Sequence, residues 1–243
     1  IDSPSLSLHP KDGKKLGIAS GELVEVRSHH GAVTLQVDIN DSVKPSELFA
    51  PIHWNDQFAS AARVGSLVAP VTDISGQPES KFIPVGIRKL EVKSWLQLAS
   101  AAELEMSAFD FWLKTPVNGG FRYQAACLDS SEVDVVAWLN TQVSPHCVTS
   151  EFYDSAEGGY RLIARTDGKL QLLAFVSAKV ADLPQGSWLS EVLSASNSED
   201  WKLLAGRGAA SADKGRLVCS CFDVGEKEIL RAIAAGADST QAL

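Results

Sequence analysis

In the run Leu23-Val24-Glu25-Val26-Arg27, Leu23 and one face of the valines alternate with charge, the pattern of a half-buried strand. Upstream, His9-Pro10 halts any extended segment, because proline fixes φ and has no backbone N–H to donate. Residues 11–17 then read as a short helical turn with Gly17 as its C-cap. Ser20-Gly21 supplies the turn before the strand, and a second turn at residues 28–31 leads into the β-branched run 32–39. Residues 48–54 read as a strand carrying Pro51, which places it at an edge or rim. Residues 55–68, rich in small side chains, read as helix then loop, residues 72–81 as turn chemistry, and residues 82–92 as a returning strand. This order fits a β-barrel with long loops at one end.

The middle of the chain, residues 91–201, is less informative. Asp129-Ser130-Ser131-Glu132 resembles a capping box opening a helix to about residue 141, with Val133, Val136 and Ala137 facing inward. Residues 152–153, 160–165 and 169–176 read as three antiparallel strands joined by turns at Glu157-Gly158-Gly159 and Asp167-Gly168. Residues 184–187 open a short helix ending near 194, and residues 209–214 form a small, polar linker. A helix over 226–235 then carries Ile229, Leu230 and Ile233 as its buried stripe, with Gly236 as C-cap. The fold class expected is mainly β with α+β, divided as residues 1–92 (a barrel lacking its N-terminal part), 93–208 (a small α+β domain) and 209–243 (the start of a third module).

Composition adds limits. With 45% hydrophobic and 21% charged residues the 243-residue chain can build a sizeable core. The 22 basic against 30 acidic residues give −8, which argues against a nucleic-acid surface. No apolar run approaches the roughly 18 residues of a membrane span. The chain begins at Ile1, contains one methionine, Met106, and stops near what reads as a helix, so it is expected to be a piece of a longer polypeptide. Four cysteines, at 127, 147, 219 and 221, make no dense disulfide framework and favour a reducing, cytoplasmic compartment. Cys127 and Cys147, twenty residues apart with His146 nearby, are a poor zinc set. His29-His30 in a turn reads as solvated, and adjacent side chains of an extended chain diverge, so the pair is a poor chelate. Cys219 and Cys221, two apart, send both sulfurs to one side of an extended segment, as a structural or redox pair or as metal ligands.

The wording of residues 8–31, with His9-Pro10 and Asp12, Leu16-Gly17-Ile18, Gly21-Glu22 and a glycine-punctuated hairpin, resembles the C-terminal domain of molybdopterin-guanine-dinucleotide oxidoreductases, the dimethyl sulfoxide reductase family. Gly13 stands where that family has alanine, and Glu22 where it has aspartate. His53-Trp54, Ala62-Arg63-Val64-Gly65 and Gly76-Gln77-Pro78-Glu79-Ser80-Lys81 resemble its assimilatory nitrate reductase branch, as do Phe152-Tyr153-Asp154, Gly159-Tyr160-Arg161 and Leu203-Leu204-Ala205-Gly206-Arg207. Other branches carry Asn-x-Leu-Thr where this chain has Gly65-Ser66-Leu67-Val68. The resemblance implies a double-psi-type barrel whose residues His53, Trp54, Arg63, Gly65 and Lys81 meet a molybdenum bis(molybdopterin guanine dinucleotide) cofactor. Lys81 would meet a pyrophosphate as a point charge, and Gly65 would allow close backbone approach.

Residues 217–225 and the helix after them resemble the opening of a bacterioferritin-associated-ferredoxin-like 2Fe–2S domain, with Cys219 and Cys221 as early ligands. Such a cluster ordinarily takes four thiolates, and the later Cys-x-x-Cys is missing, so no stable cluster is expected in this chain alone. Taken together, the resemblances imply the C-terminal part of an enzyme reducing nitrate to nitrite. Its catalytic residues and the family's Thr-Gly-Arg segment would lie in upstream domains of the same polypeptide, making the chain inactive by itself. The implied partners are those domains, nitrate, and an electron-donor protein or reductase subunit, with neither nucleic acid nor membrane. Two alternatives stand beside this: another enzyme of the family, such as a formate dehydrogenase, and a non-catalytic electron-carrier or binding module.

Overall fold

Proline at the first helical position and glycine just past the last frame α1, Pro10–Leu16, in a computed structural model that describes residues 4–77, 82–193, 199–206, 217–219, 224–234, 236–237 and 239. The His9 imidazole caps α1 by accepting from the Lys11 N–H at 3.1 Å, and Gly17 takes the left-handed conformation at φ 66°. Gly13 is buried, and a Cβ there would come within 2.7 Å of Ile39 Cδ1.

Around α1 lie β1 (Ser5–Leu8), β2 (Leu23–Arg27), β3 (Ala32–Ile39), β4 (Leu48–Phe49) and β5 (Gly86–Lys89), in the order β4-β1-β3-β2-β5. The β1–β3 pair is parallel and the others antiparallel. Val33, Leu35 and Val37 are buried and alternate with partly exposed residues, as the period of two dictates. The recorded pairings leave β4 and β5 at opposite ends, so among the described residues this sheet is open. The closed barrel expected from sequence would need further pairing between those edges.

The second sheet contains β6 (Val92–Ser100), β7 (Phe111–Val117), β8 (Gly120–Leu128), β9 (Val148–Asp154), β10 (Gly159–Thr166) and β11 (Lys169–Ser177), all antiparallel in the order β7-β8-β6-β11-β10-β9. The β9–β10–β11 meander matches the three strands read from sequence, and Asp167-Gly168 forms its second turn with both φ positive, at 51° and 74°. One face packs Leu96, Leu98, Tyr123 and Leu162 against α2 (Val135–Gln142). The other packs Ile163, Leu173 and Phe175 against α3 (Gly186–Val192) and α4 (Asp200–Leu204). Trp95, Phe111, Leu113 and Ala126 leave this sheet's own clusters and join the core of the first sheet.

Several expectations change. Residues 55–68 form turns and one 3-10 turn, Val64–Leu67, in place of a helix. Their backbone is drawn to the β7 edge: Ala59 bridges Leu113, the Lys114 N–H donates to the Phe58 carbonyl at 2.8 Å, and the Thr34 N–H to the Ala61 carbonyl at 2.8 Å. That loop fastens the two sheets together. Only two residues of the expected strand 48–54 pair, since Pro51 cannot donate to a ladder. Residues 82–92 are not one strand, because β5 starts only after Pro84, and β6 begins at Val92 in the other sheet. The second helix starts later than the capping-box reading, with Asp134 accepting from the Ala137 N–H at 3.0 Å. It buries Val135 and Leu139 while Ala137 is exposed.

Farther on, β12 (Leu217–Cys219) pairs with β13 (Val224–Gly225), and α5 spans Glu226–Ala234. The stripe expected to be buried on α5 is not: Leu230 and Ile233 are exposed, because no described element covers that face.

Candidate functional site

The turn joining β2 to β3 is built by one serine. Its N–H donates to the Gly31 carbonyl at 2.9 Å, while Ser28 Oγ accepts from the His30 and Gly31 N–H groups at 3.0 and 3.3 Å. The same hydroxyl donates to the Leu67 carbonyl at 2.8 Å, tying the turn to the 3-10 turn Val64–Leu67. Gly31 makes this approach possible, because a Cβ there would sit 2.6 Å from the Ser66 carbonyl oxygen. His29 and His30 are thereby held outward, exposed, on a fixed backbone.

They face a cleft of about 200 Å³ whose other walls are Ala69, Val71, Phe82, Ile83 and Pro84. Phe82 is 88% exposed, a large flat surface available for stacking. The loop entering this region is ordered by Asp73, whose Oδ1 accepts from the Ser75 and Gln77 N–H groups at 2.8 and 2.9 Å and from the Ser75 hydroxyl at 2.7 Å. Those bonds, led by the Ser75 hydroxyl, hold the Asp73 carboxyl below its ordinary range.

Arg63 and Gly65, singled out by sequence, lie at the start of the 3-10 turn to which Ser28 is bonded, and neither lines the cleft. Arg63 precedes the 3-10 turn, exposed, with Nη1 3.3 Å from the Asp56 carboxylate. Gly65 lies on that turn with open space where a Cβ would be, so an incoming group can reach its backbone. His53 is exposed and Trp54 half-buried, packed against the first core, and neither lines the cleft. Trp54 Nε1 is a buried donor without a hydrogen-bond partner among the described residues. Lys81 lies outside the described residues, next to Phe82. Of the cysteine pair, Cys219 ends β12, and Cys221 is outside the described residues.

The expectation that His29-His30 lies solvated in a turn agrees with their exposure between β2 and β3. The sequence does not single out Ser28 or Phe82; Ser28 and Gly31 on either side of the histidines are the local feature that pins this turn against a neighbour. Among the described residues no three His, Cys, Asp or Glu side chains gather as a metal set. The imidazoles and the exposed ring of the cleft suit binding of a flat group linked to phosphate. They are also the chemistry that a pterin-guanine dinucleotide needs, so the rim fits such a cofactor. No described helix is long and apolar enough to cross a membrane.

Comparison with known proteins bears on this rim. The chain is 32% identical over an alignment of 268 positions, covering all of its length, to a nitrate reductase from Klebsiella oxytoca. It spans 28% of that protein. A stretch of 54 residues, 22% of the chain and 8% of the relative, is 35% identical to the alpha subunit of a formate dehydrogenase from Methanocaldococcus jannaschii. Residues 1–84, which contain α1, the Ser28–Gly31 turn, Arg63, Gly65 and Phe82, match the family described as Molydopterin dinucleotide binding domain.

Proposed function

We propose that this chain is the C-terminal portion of an assimilatory nitrate reductase, and that its first sheet covers a molybdenum bis(molybdopterin guanine dinucleotide) group held mainly by upstream domains of the same polypeptide. The observation that carries this reading is the rim within residues 1–84, where Ser28 and Gly31 lock the histidine turn onto the 3-10 turn bearing Gly65. Arg63, His29, His30, Lys81 and the Gly65 backbone would meet phosphate and purine edges, with His53 and Trp54 on the flank. When bound, the molybdenum group supplies the two-electron removal of oxygen from nitrate. The residues of this chain orient that group by charge and hydrogen bonding, and the apolar side chains of the rim keep water from it. Phe49 on β4 and Ile52 and Ile74 on the loops that follow are exposed, apolar surface suited to cover by the upstream domains.

Cys219 and Cys221 would begin an electron-entry cluster reached by a donor protein or reductase subunit in the cytoplasm. The chain cannot complete that cluster. Cys127 is buried in β8 and Cys147 is half-buried beside Thr166, leaving two thiols where four are needed. The similarity to a formate dehydrogenase covers only 54 residues, so nitrate is the favoured substrate. Expression of the whole reading frame with molybdate, assayed for nitrate-dependent and formate-dependent turnover, tests the reading. Nitrate turnover is expected from the whole protein and none from this chain, and formate turnover without nitrate turnover would overturn it. A reading frame with no catalytic domain upstream would favour the binding-module alternative.

A further inference from the structure

At one end of the second sheet, the β9–β10 turn, the end of β11 and the 3-10 turn Val180–Asp182 enclose a cleft of about 450 Å³, lined by none of the residues that line the cleft at the first sheet. Arg161 forms part of its wall. In register it lies between Phe152 on β9 and Phe175 on β11, and its guanidinium carbon sits 5.5 and 6.0 Å from the two ring centroids. Nη1 donates to the Leu204 carbonyl at the end of α4. Among the described residues the guanidinium has no ion-pair partner, although it is half-buried. A guanidinium carries five N–H donors in a planar fork, so donors remain for a carboxylate.

Opposite charge lines the same cleft. Asp182 is exposed, and among the described residues its Oδ2 accepts from the Ser177 hydroxyl alone, at 3.3 Å. Asp154 uses Oδ1 for the Ala156 and Glu157 N–H groups, at 3.0 and 3.3 Å. Each carboxylate thus keeps an oxygen for a cationic donor. Glu157 and Lys179 neutralise one another at the lip, 3.5 Å apart and both largely exposed. An apolar wall of Phe175 and Leu183 completes the space. A simple anion would meet the two aspartates, and a simple cation would meet Arg161. A group carrying both charges with a short apolar tail satisfies every wall, and the volume lies in the range of small-molecule sites.

We propose that this cleft binds a free aliphatic α-amino acid, its carboxylate on Arg161, its ammonium on Asp154 and Asp182, and its side chain against Phe175 and Leu183. The site is independent of the cofactor rim and stands whichever reaction the whole protein performs.

Titration of the 243-residue chain with L-leucine, glycine, acetate and methylammonium, read by calorimetry and by amide chemical shifts, tests it. L-leucine is expected to bind and to move amides within residues 154–161 and 175–183. Glycine should bind about tenfold more weakly for lack of the apolar tail, and acetate and methylammonium weaker still. Arg161→Gln should weaken L-leucine at least about tenfold. Because that variant also loses the bond to Leu204 and the ring stacking, Asp182→Asn provides a second arm on an exposed turn, with an expected loss of several-fold and an unchanged melting temperature. The proposal is overturned if L-leucine does not bind, if it binds but moves other amides, if acetate binds as tightly, or if both variants bind like the parent.

Discussion

The two sheets solve the same burial problem in opposite ways. β3 buries Val33, Leu35 and Val37 and leaves Thr34 and Gln36 partly open, so its sheet has one covered face and long loops. β11 is buried at every position from Leu172 to Ser177, because α2 lies on one face of its sheet and α3 with α4 on the other. A sheet covered on both sides has few positions left for binding, whereas long loops on a one-sided sheet are where binding groups collect. The rim of Ser28, His29, His30, Arg63, Gly65 and Phe82 belongs to the first kind. The second sheet anchors it, through Phe111, Trp95 and the strap of residues 55–62.

That division of labour predicts that damage to the second sheet spreads to the first. Phe111 is fully buried, packs edge-to-face on Trp95 with centroids 6.4 Å apart, and belongs to the first sheet's core. Phe111→Ala should cost about 3–5 kcal/mol and shift one common denaturation transition. Separate transitions for the two sheets in urea, followed by tryptophan fluorescence and far-ultraviolet dichroism, would show that the shared core does not couple them. Damage to the rim should be more contained. Gly31→Ala forces a methyl against the Ser66 carbonyl and should cost about 1–3 kcal/mol. Gly65→Ala meets open space, so its stability should stay within about 0.5 kcal/mol. In the whole protein, Gly65→Ala should nonetheless lower molybdenum content, measured by elemental analysis. Unchanged content would remove Gly65 from the cofactor surface. Ser28→Ala loses the bond to Leu67 and should cost about 1 kcal/mol, seen as faster amide exchange at His30 and Gly31.

The same contrast decides how much could be read from the sequence. Alternation in β2 and β3, the His9-Pro10 start, the Gly17 cap and the Asp167-Gly168 turn are local signals, and all appear where expected. β6 and β8 are not marked in the sequence, because a strand buried on both faces, such as Val92–Ser100, loses the period-two pattern that marks a strand. The helix expected within residues 55–68 failed for a tertiary reason, since its backbone groups bond to β7 and β3 rather than to one another. Near the rim, Arg63 and Gly65 stand out only through the resemblance, whereas the bond from Ser28 to Leu67 is invisible locally, since a hydroxyl that donates 39 residues along the chain leaves no trace in the sequence around it.

The smallest expected effect separates the sheets by pH. Glu22 closes the turn after α1: its Oε2 accepts from the Ala19 N–H, and its Oε1 from Lys89 on β5, both at 2.9 Å. Partial burial pushes this carboxyl up, but the Lys89 hydrogen bond, the Ala19 N–H and the Lys89 charge outweigh it and hold it below the usual 4.5. A lowered carboxylate pKa stabilises the fold above the unfolded value, and that contribution fades as pH falls through the folded one. The second sheet carries the opposite sign. Burial, then the neighbouring Glu151 carboxylate, push the Tyr160 hydroxyl from 10 to about 12, so the unfolded chain ionises first and stability falls as pH rises from 10 toward 12. Amide exchange should therefore quicken first around β2 and β5 below pH 4.5, and around β10 and β11 above pH 10. Glu22→Gln should cost under about 1 kcal/mol at neutral pH, because the ion pair is partly exposed, and should flatten the acid limb while leaving the alkaline limb unchanged. An acid limb of equal slope in that variant would mean that another carboxylate, not the Glu22–Lys89 tether, sets the first sheet's sensitivity to acid.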